Sequence, residues 1–152
     1  ERLVLAKDAF QPCLVVYPWS VWNAQVDELS GRLSRWNAAH RSLFRQFVSD
    51  VEVFTLDTNG RFLIPKRYAQ MAGISQDVVF LGMDDTVEVW SKPQFAAHNM
   101  PAADFAKQLE NFQLSSLLSV KMSLGNVIRF RMGKNCWQFS KIHRLYAPAL
   151  HH

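Results

Sequence analysis

The sequence predicts an α+β protein built from short antiparallel hairpins and short helices, and three observations carry that prediction. Strand-length runs rich in β-branched residues recur along the chain, a longer stretch places its apolar residues at helical spacing, and one strand-to-helix pattern occurs twice. The repeated pattern is Cys13-Leu-Val-Val-Tyr-Pro-Trp-Ser-Val-Trp22, matched by Thr86-Val-Glu-Val-Trp-Ser-Lys-Pro-Gln-Phe95 at an offset of 73 residues. Each copy is a strand ending in an aromatic residue, followed by a helix start that carries a second aromatic.

Taken in order, Arg2-Leu-Val-Leu5 and Cys13-Leu-Val-Val-Tyr17 flank a turn-like stretch with Lys7, Asp8 and Pro12, and together read as a hairpin. Ser20 is a natural N-cap for a helix over 21–36, whose stripe is Trp22, Val26, Leu29, Leu33 and Trp36. A second helix over 39–49 carries Leu43, Phe44, Phe47 and Val48, and the two are expected to pair, with Trp19, Trp22 and Trp36 packing either the helical pair or a subunit interface rather than stacking on bases. Val51, Val53 and Thr55 then alternate with Glu52 and Phe54. Asp57-Thr-Asn-Gly60 separates this run from Phe62-Leu-Ile64, and Asn-Gly between two such runs predicts a β-hairpin.

Pro65 closes the second run, and Lys66 to Ala72 reads as a helix of one or two turns stopped by Gly73. Val78 to Leu81 and Thr86 to Trp90 form another hairpin around Gly82 to Asp85. Ser91-Lys-Pro93 opens a short helix, and Pro101 opens a last one with Phe105, Leu109 and Phe112 on one face. The second repeat copy is preceded by the Asp57 to Arg61 turn. The first copy would need its equivalent about 16 residues before Glu1, so the chain is expected to begin in mid-repeat.

Length and charge bound the function. At 152 residues the chain is one ordinary domain or two very small ones sharing a core, and 49% apolar with 20% charged residues is the balance of a folded globule. The formal charge of +4 suggests an anionic partner, but it is unevenly placed: residues 1–114 hold all 13 acids against 11 cations, and residues 115–152 hold six cations and no acid. No apolar run reaches the length of a membrane helix. Two cysteines outside any Cys-x-x-Cys pair fit a reducing compartment.

Catalytic chemistry finds little support. Cys13 lies in an apolar strand pattern and reads as a buried, inert thiol rather than a nucleophile paired with His40. His40, His98 and His143 are isolated, no metal-ligand spacing or phosphate-binding glycine loop occurs, and Asp84-Asp85 reads as a turn. No cofactor, catalytic residue or metal is expected.

The most informative segment is Val53-Phe-Thr-Leu-Asp57-Thr-Asn-Gly-Arg61-Phe-Leu-Ile-Pro65-Lys-Arg-Tyr68. Asp57 can accept guanidinium and backbone N–H bonds from across the turn, Gly60 supplies a positive φ, and Lys66 and Arg67 stand where a phosphate could be met at a helix start. On spacing alone, a well-made hairpin with a surface ion pair remains the plain alternative.

These residues resemble the half-repeat of the MraZ family, bacterial regulators of the cell-division and cell-wall gene cluster in the AbrB-like swapped-hairpin group. Gln11-Pro-Cys-Leu-Val-Val-Tyr-Pro18, Phe44-Arg-Gln-Phe-Val-Ser49 and Ala72-Gly-Ile-Ser75 look like the Bacteroidetes type. The resemblance covers residues 1–112. It implies swapped-hairpin β-barrel repeats with short helices and a helical pair: 1–37 the remainder of a first repeat and 38–112 the second.

It also implies a cytoplasmic, nucleoid-associated homo-oligomer, a ring of octamer or dodecamer size, that binds direct repeats in double-stranded promoter DNA. Asp57 and Gly60 are carried over as the motif turn, Arg61 as the DNA contact, and Lys66 and Arg67 as phosphate contacts. The family has two such hairpins per chain, and one Asp-x-x-Gly-Arg is present here. An assembly module that does not bind DNA, and an enzyme for a small phosphorylated ligand, are the alternatives from other classes.

Residues 113–152 lie outside the resemblance and form a basic tail. Ile128, Phe130 and Met132 alternate with Val127, Arg129 and Arg131, Gly133-Lys134-Asn135 reads as a turn, and Trp137 and Phe139 alternate with Gln138 and Ser140. The expectation is a basic hairpin with interleaved aromatics. Arg129, Arg131 and Lys134 are its candidate nucleic-acid contacts. An appended segment without selected function, and a hairpin filling the place of the first repeat's strands, stay open beside it.

Overall fold

The computed structural model describes residues 1–112, together with the strand pairings of Ile128–Arg131 and Trp137–Gln138. The elements are β1 (Arg2–Lys7), β2 (Leu14–Pro18), α1 (Trp19–Arg32), α2 (Ala38–Ser49), β3 (Val51–Thr55), β4 (Arg61–Phe62), α3 (Lys66–Met71), β5 (Asp77–Met83), β6 (Thr86–Ser91), α4 (Lys92–Ala97), α5 (Ala102–Asn111), β7 (Ile128–Arg131) and β8 (Trp137–Gln138). The class is α+β, with an antiparallel six-stranded sheet in the order β3-β1-β2-β6-β5-β7 and a small second sheet pairing β4 with β8.

The repeated segments sit at the centre of the large sheet. β2 and β6 pair with each other, and each is the inner strand of its own hairpin, β1–β2 and β5–β6. In the first hairpin the turn is held by Asp8, whose N–H donates to the Cys13 carbonyl while its Oδ1 accepts from the N–H groups of Phe10 and Gln11. In the second the connection is Asp84-Asp85 alone, with Asp84 at φ 55°.

Strand alternation gives the sheet two buried faces. Leu5, Leu14, Val16, Val78, Phe80, Val87 and Val89 point to one side, where Phe62, Ile64, Tyr68 and Ala72 cover them. Val4, Ala6 and Trp22 lie on the other side with Phe47 and Val26 of the helical pair, and Cys13, Val79 and Trp90 meet Phe95 of α4. Tyr68 is 1% exposed and is the largest fully buried side chain among the described residues; burying a ring of that size contributes about 2–3 kcal/mol.

Several boundaries follow capping physics. α3 ends in a Schellman motif: the N–H of Ile74 donates to the Ala69 carbonyl and that of Gly73 to Gln70, with Gly73 at φ 64°. Ser91 caps α4 by accepting from Gln94 N–H, as its place before Lys92-Pro93 predicts.

Four expectations need correction. The first helix begins at Trp19 rather than 21 and ends at Arg32 rather than 36: Pro18, with φ −56° and ψ 146°, is the entry residue, so Ser20 lies inside the helix and caps nothing. Leu33 is extended, and Asn37 starts the next helix by accepting from the N–H groups of Ala39 and His40. Trp36, in that connection, is 97% exposed and does not pack the helical pair, whereas Trp22 stacks on Phe47 at 5.0 Å.

Third, β3 and β4 are not partners of one another. The loop between them closes locally, with Asp57 N–H donating to the Arg61 carbonyl, but β3 pairs with β1 and β4 with β8. Phe54 of β3 still reaches Phe62 of β4 by ring stacking at 4.5 Å, and it is Val53, 48% exposed, that faces outward. Fourth, among the described residues the tail strands pair elsewhere than with each other, β7 with β5 and β8 with β4; the expected turn at Gly133-Lys134-Asn135 lies outside the described residues.

Candidate nucleic-acid interface

The Asp57–Arg61 loop is a compact, exposed structure in which one carboxylate organises the backbone and one guanidinium. Asp57 Oδ1 accepts from the N–H groups of Asn59 and Arg61, both at 2.8 Å, and Oδ2 accepts from Arg61 Nε at 2.8 Å. Gly60, at φ 71°, sends its N–H to the Asp57 carbonyl, a backbone conformation that a side chain would strain. The Arg61 backbone N–H, more than any other group, holds the Asp57 carboxyl below its ordinary range, and the Arg61 guanidinium and Asn59 N–H add to the shift.

The choice of nitrogen matters. With Nε engaged, the guanidinium is fixed in orientation, and its two Nη groups have no hydrogen-bond partner among the described residues. The arginine side chain is 44% exposed at the loop tip. Two parallel Nη–H donors on an oriented plane are the fork that reads guanine or clamps phosphate.

Lys66 and Arg67 follow on α3, and the structure separates them. Lys66 is exposed, with no hydrogen bond or ion pair among the described residues. Arg67 Nη2 instead donates to Asp50 Oδ1 at 2.6 Å and to Tyr68 Oη at 3.1 Å, with the guanidinium 4.9 Å from the Tyr68 ring centroid. Arg67 thus ties α3 to the end of α2 while staying 63% exposed. Asp50 went unnoticed in the sequence; its one signal was a carboxylate directly after the second helical stretch. Arg129 and Arg131 fall on β7 in the edge position of the large sheet, and Lys134 lies outside the described residues.

Cys13 is fully buried, and burial, with Glu88 beside it, pushes its thiol up to about 12. Its Sγ lies 3.7 Å from Glu88 Oε2, which also accepts from Trp90 Nε1 at 3.1 Å. His40 Nδ1 accepts from Ser34 N–H, and His98 Nδ1 lies 2.9 Å from the Gln94 carbonyl. Among the described residues no group of three or more His, Cys, Asp or Glu could hold a metal ion, and no helix is long and apolar enough to cross a membrane.

The family model described as "MraZ protein, putative antitoxin-like" matches residues 47–115, a span that contains this loop, α3 and the β5–β6 hairpin. A protein of Phocaeicola vulgatus named Transcriptional regulator MraZ is 58% identical over 110 residues, covering 72% of this chain and 71% of that one. The chain belongs to the MraZ family. Proteins with the same name from Bacteroides fragilis and Clostridium beijerinckii are 52% and 38% identical, over 72% and 69% of this chain and 70% and 72% of theirs. The matched segment contains the Asp57–Arg61 loop, and the basic tail falls mostly outside it.

Proposed function

We propose that this MraZ-family chain is a non-enzymatic transcription regulator that binds double-stranded promoter DNA through the Asp57–Arg61 loop. The observation that carries this reading is the Arg61 side chain, which among the described residues is engaged through Nε to Asp57 while 44% exposed, so that its Nη pair has no partner among those residues. Its relatives' name, Transcriptional regulator MraZ, supports the same class. Arg61 makes the base or phosphate contact, Asp57 and Gly60 hold the turn, and Lys66 adds a sequence-independent attraction; Arg67 lends charge while held by Asp50.

One loop makes few contacts, so useful affinity comes from several copies arrayed on direct repeats. Exposed apolar side chains, Phe10, Trp36 and Phe112 among them, suit burial in such a homo-oligomer, for which a ring is the arrangement that matches a repeated site. The promoter of the cell-division and cell-wall genes is the proposed target, and the cytoplasm, on the nucleoid, is the proposed place of action.

The test is fluorescence anisotropy on a promoter fragment carrying the direct repeats, against a fragment with the repeats scrambled. Wild type binds the repeat fragment more tightly and loses affinity steeply with salt, and Arg61→Ala weakens specific binding at least about tenfold. Equal binding of wild type and Arg61→Ala, or no binding to either fragment at low salt, contradicts the proposal and leaves an assembly module as the better reading.

A further inference from the structure

The large sheet is organised about a local two-fold axis. Val15 of β2 lies opposite Glu88 of β6, and the two residues hold the same position in the two copies of the 73-residue repeat. On either side Leu14 faces Val89 and Val16 faces Val87, pairs that interchange when the copies are exchanged. The same axis carries Leu3 of β1 onto Val78 of β5, because Leu3 pairs with Pro18 and Val78 with Ser91, the repeat equivalent of Pro18.

The outer edges obey it as well. β1 carries β3, with Leu3 opposite Phe54 and Arg2 opposite Thr55; β5 carries β7, with Val78 opposite Phe130 and Asp77 opposite Arg131. Phe130 therefore stands at the symmetry position of Phe54, and Arg131 at that of Thr55, a shift of 76 residues. Residues 56–60 separate β3 from β4 and residues 132–136 separate β7 from β8, connections of equal length. In the small sheet Arg61 pairs with Gln138 and Phe62 with Trp137, and these two pairs interchange under the same 76-residue shift.

We infer that β7 and β8 form the second arm of the fold: they fill a strand-accepting slot, made by the outer edge of β5 and the edge of β4, as the counterpart of β3 and β4. The need for an occupant is physical. Val78, Val79 and Phe80 of β5 are buried, and a strand so apolar, left with a free edge, exposes unpaired backbone groups and invites pairing with other chains. The registers commit the occupant to this chain's own segment. They also match the ladders: β7 pairs with β5 and β8 with β4, as β3 pairs with β1 and β4 with β8.

The arm completes the fold without duplicating the binding loop. In the sequence, the residues 76 positions on from Asp57 and Arg61 are Gly133 and Trp137, so the carboxylate and guanidinium are not repeated there. Residues 128–138 therefore add no second Asp57–Arg61 loop.

Cross-strand disulfide trapping of the full chain tests the inference without DNA, so its outcome is independent of the regulator reading. In a Cys136→Ser background, which leaves Cys13 buried and inert, Asp77→Cys with Arg131→Cys places two thiols directly opposite, within disulfide reach. Asp77 is exposed, so its substitution disturbs no core contact. Under mild oxidation this pair forms an intrachain disulfide at least about tenfold faster than Asp77→Cys with Phe130→Cys, which is one residue out of register. Equal rates, or no disulfide from either pair, overturn the inference; an interchain product overturns it in favour of a second copy's strand in the slot.

Discussion

The two-faced sheet and the Asp57–Arg61 loop are held by different physics, and the contrast separates what keeps the chain folded from what it presents to a partner. In the sheet, order comes from burial: Leu5, Leu14, Val78 and Val89 are at most 1% exposed, and Tyr68 seals one face from α3. In the loop, order comes from three hydrogen bonds on one exposed carboxylate. A region ordered by burial cannot be altered without loss of stability, whereas a region ordered by surface hydrogen bonds can change its contacts while the fold stands.

The strongest way to break this contrast is to empty the core beside the loop. Tyr68→Ala removes a fully buried ring and should lower the free energy of unfolding by about 3 kcal/mol, read from urea denaturation followed by circular dichroism. A loss under about 1 kcal/mol would mean that α3 is not part of the core. A smaller effect is expected at Gly73, where φ is 64° but a Cβ would meet nothing within 4 Å: Gly73→Ala should cost about 1 kcal/mol, all of it backbone strain, and leave DNA affinity unchanged.

The loop gives the smallest stability effects. The carboxyl of Asp57 is held below its ordinary value of 3.8, so the ion form is favoured by folding. Its stabilisation of the loop is fully present above that value and is lost as pH falls through the lowered one. Carboxyl-carbon NMR should find the Asp57 midpoint below 3.8 in wild type and raised toward it in Arg61→Ala; a wild-type midpoint above 3.8 would remove the carboxylate from its central place. Arg67→Ala, which breaks an exposed pair with Asp50, should shift the unfolding midpoint less than either core substitution.

The same contrast governs what was legible in the sequence. Local signals served well: the β1–β2 and β5–β6 hairpins, the Ser91 cap and the Gly73 stop are each set within a few residues, and the 73-residue repeat marks the strands that meet at the centre of the sheet. Asp57, Gly60 and Arg61 were legible too, because a carboxylate, a glycine and an arginine at that spacing can satisfy one another in a single turn.

Partner choice was less legible, being non-local. Asn59-Gly60 specifies a tight loop but not that β3 leaves to pair with β1, and alternation in the tail specifies strands but not that they pair with β5 and β4. Arg67 reads as a free cation until α3 is set against Asp50, 17 residues earlier. Trp36 reads as core until Pro18 shifts the first helix and leaves its end in a connection.

The central claim is that Asp57 acts on DNA only by holding Arg61, and a double-mutant cycle on affinity for the direct-repeat fragment tests it most directly. Asp57→Ala should weaken specific binding nearly as much as Arg61→Ala, and the double variant should be no weaker than Arg61→Ala alone, with all three folded to the same extent by circular dichroism. Losses that simply add, or an Asp57→Ala protein that binds as wild type does, would contradict it.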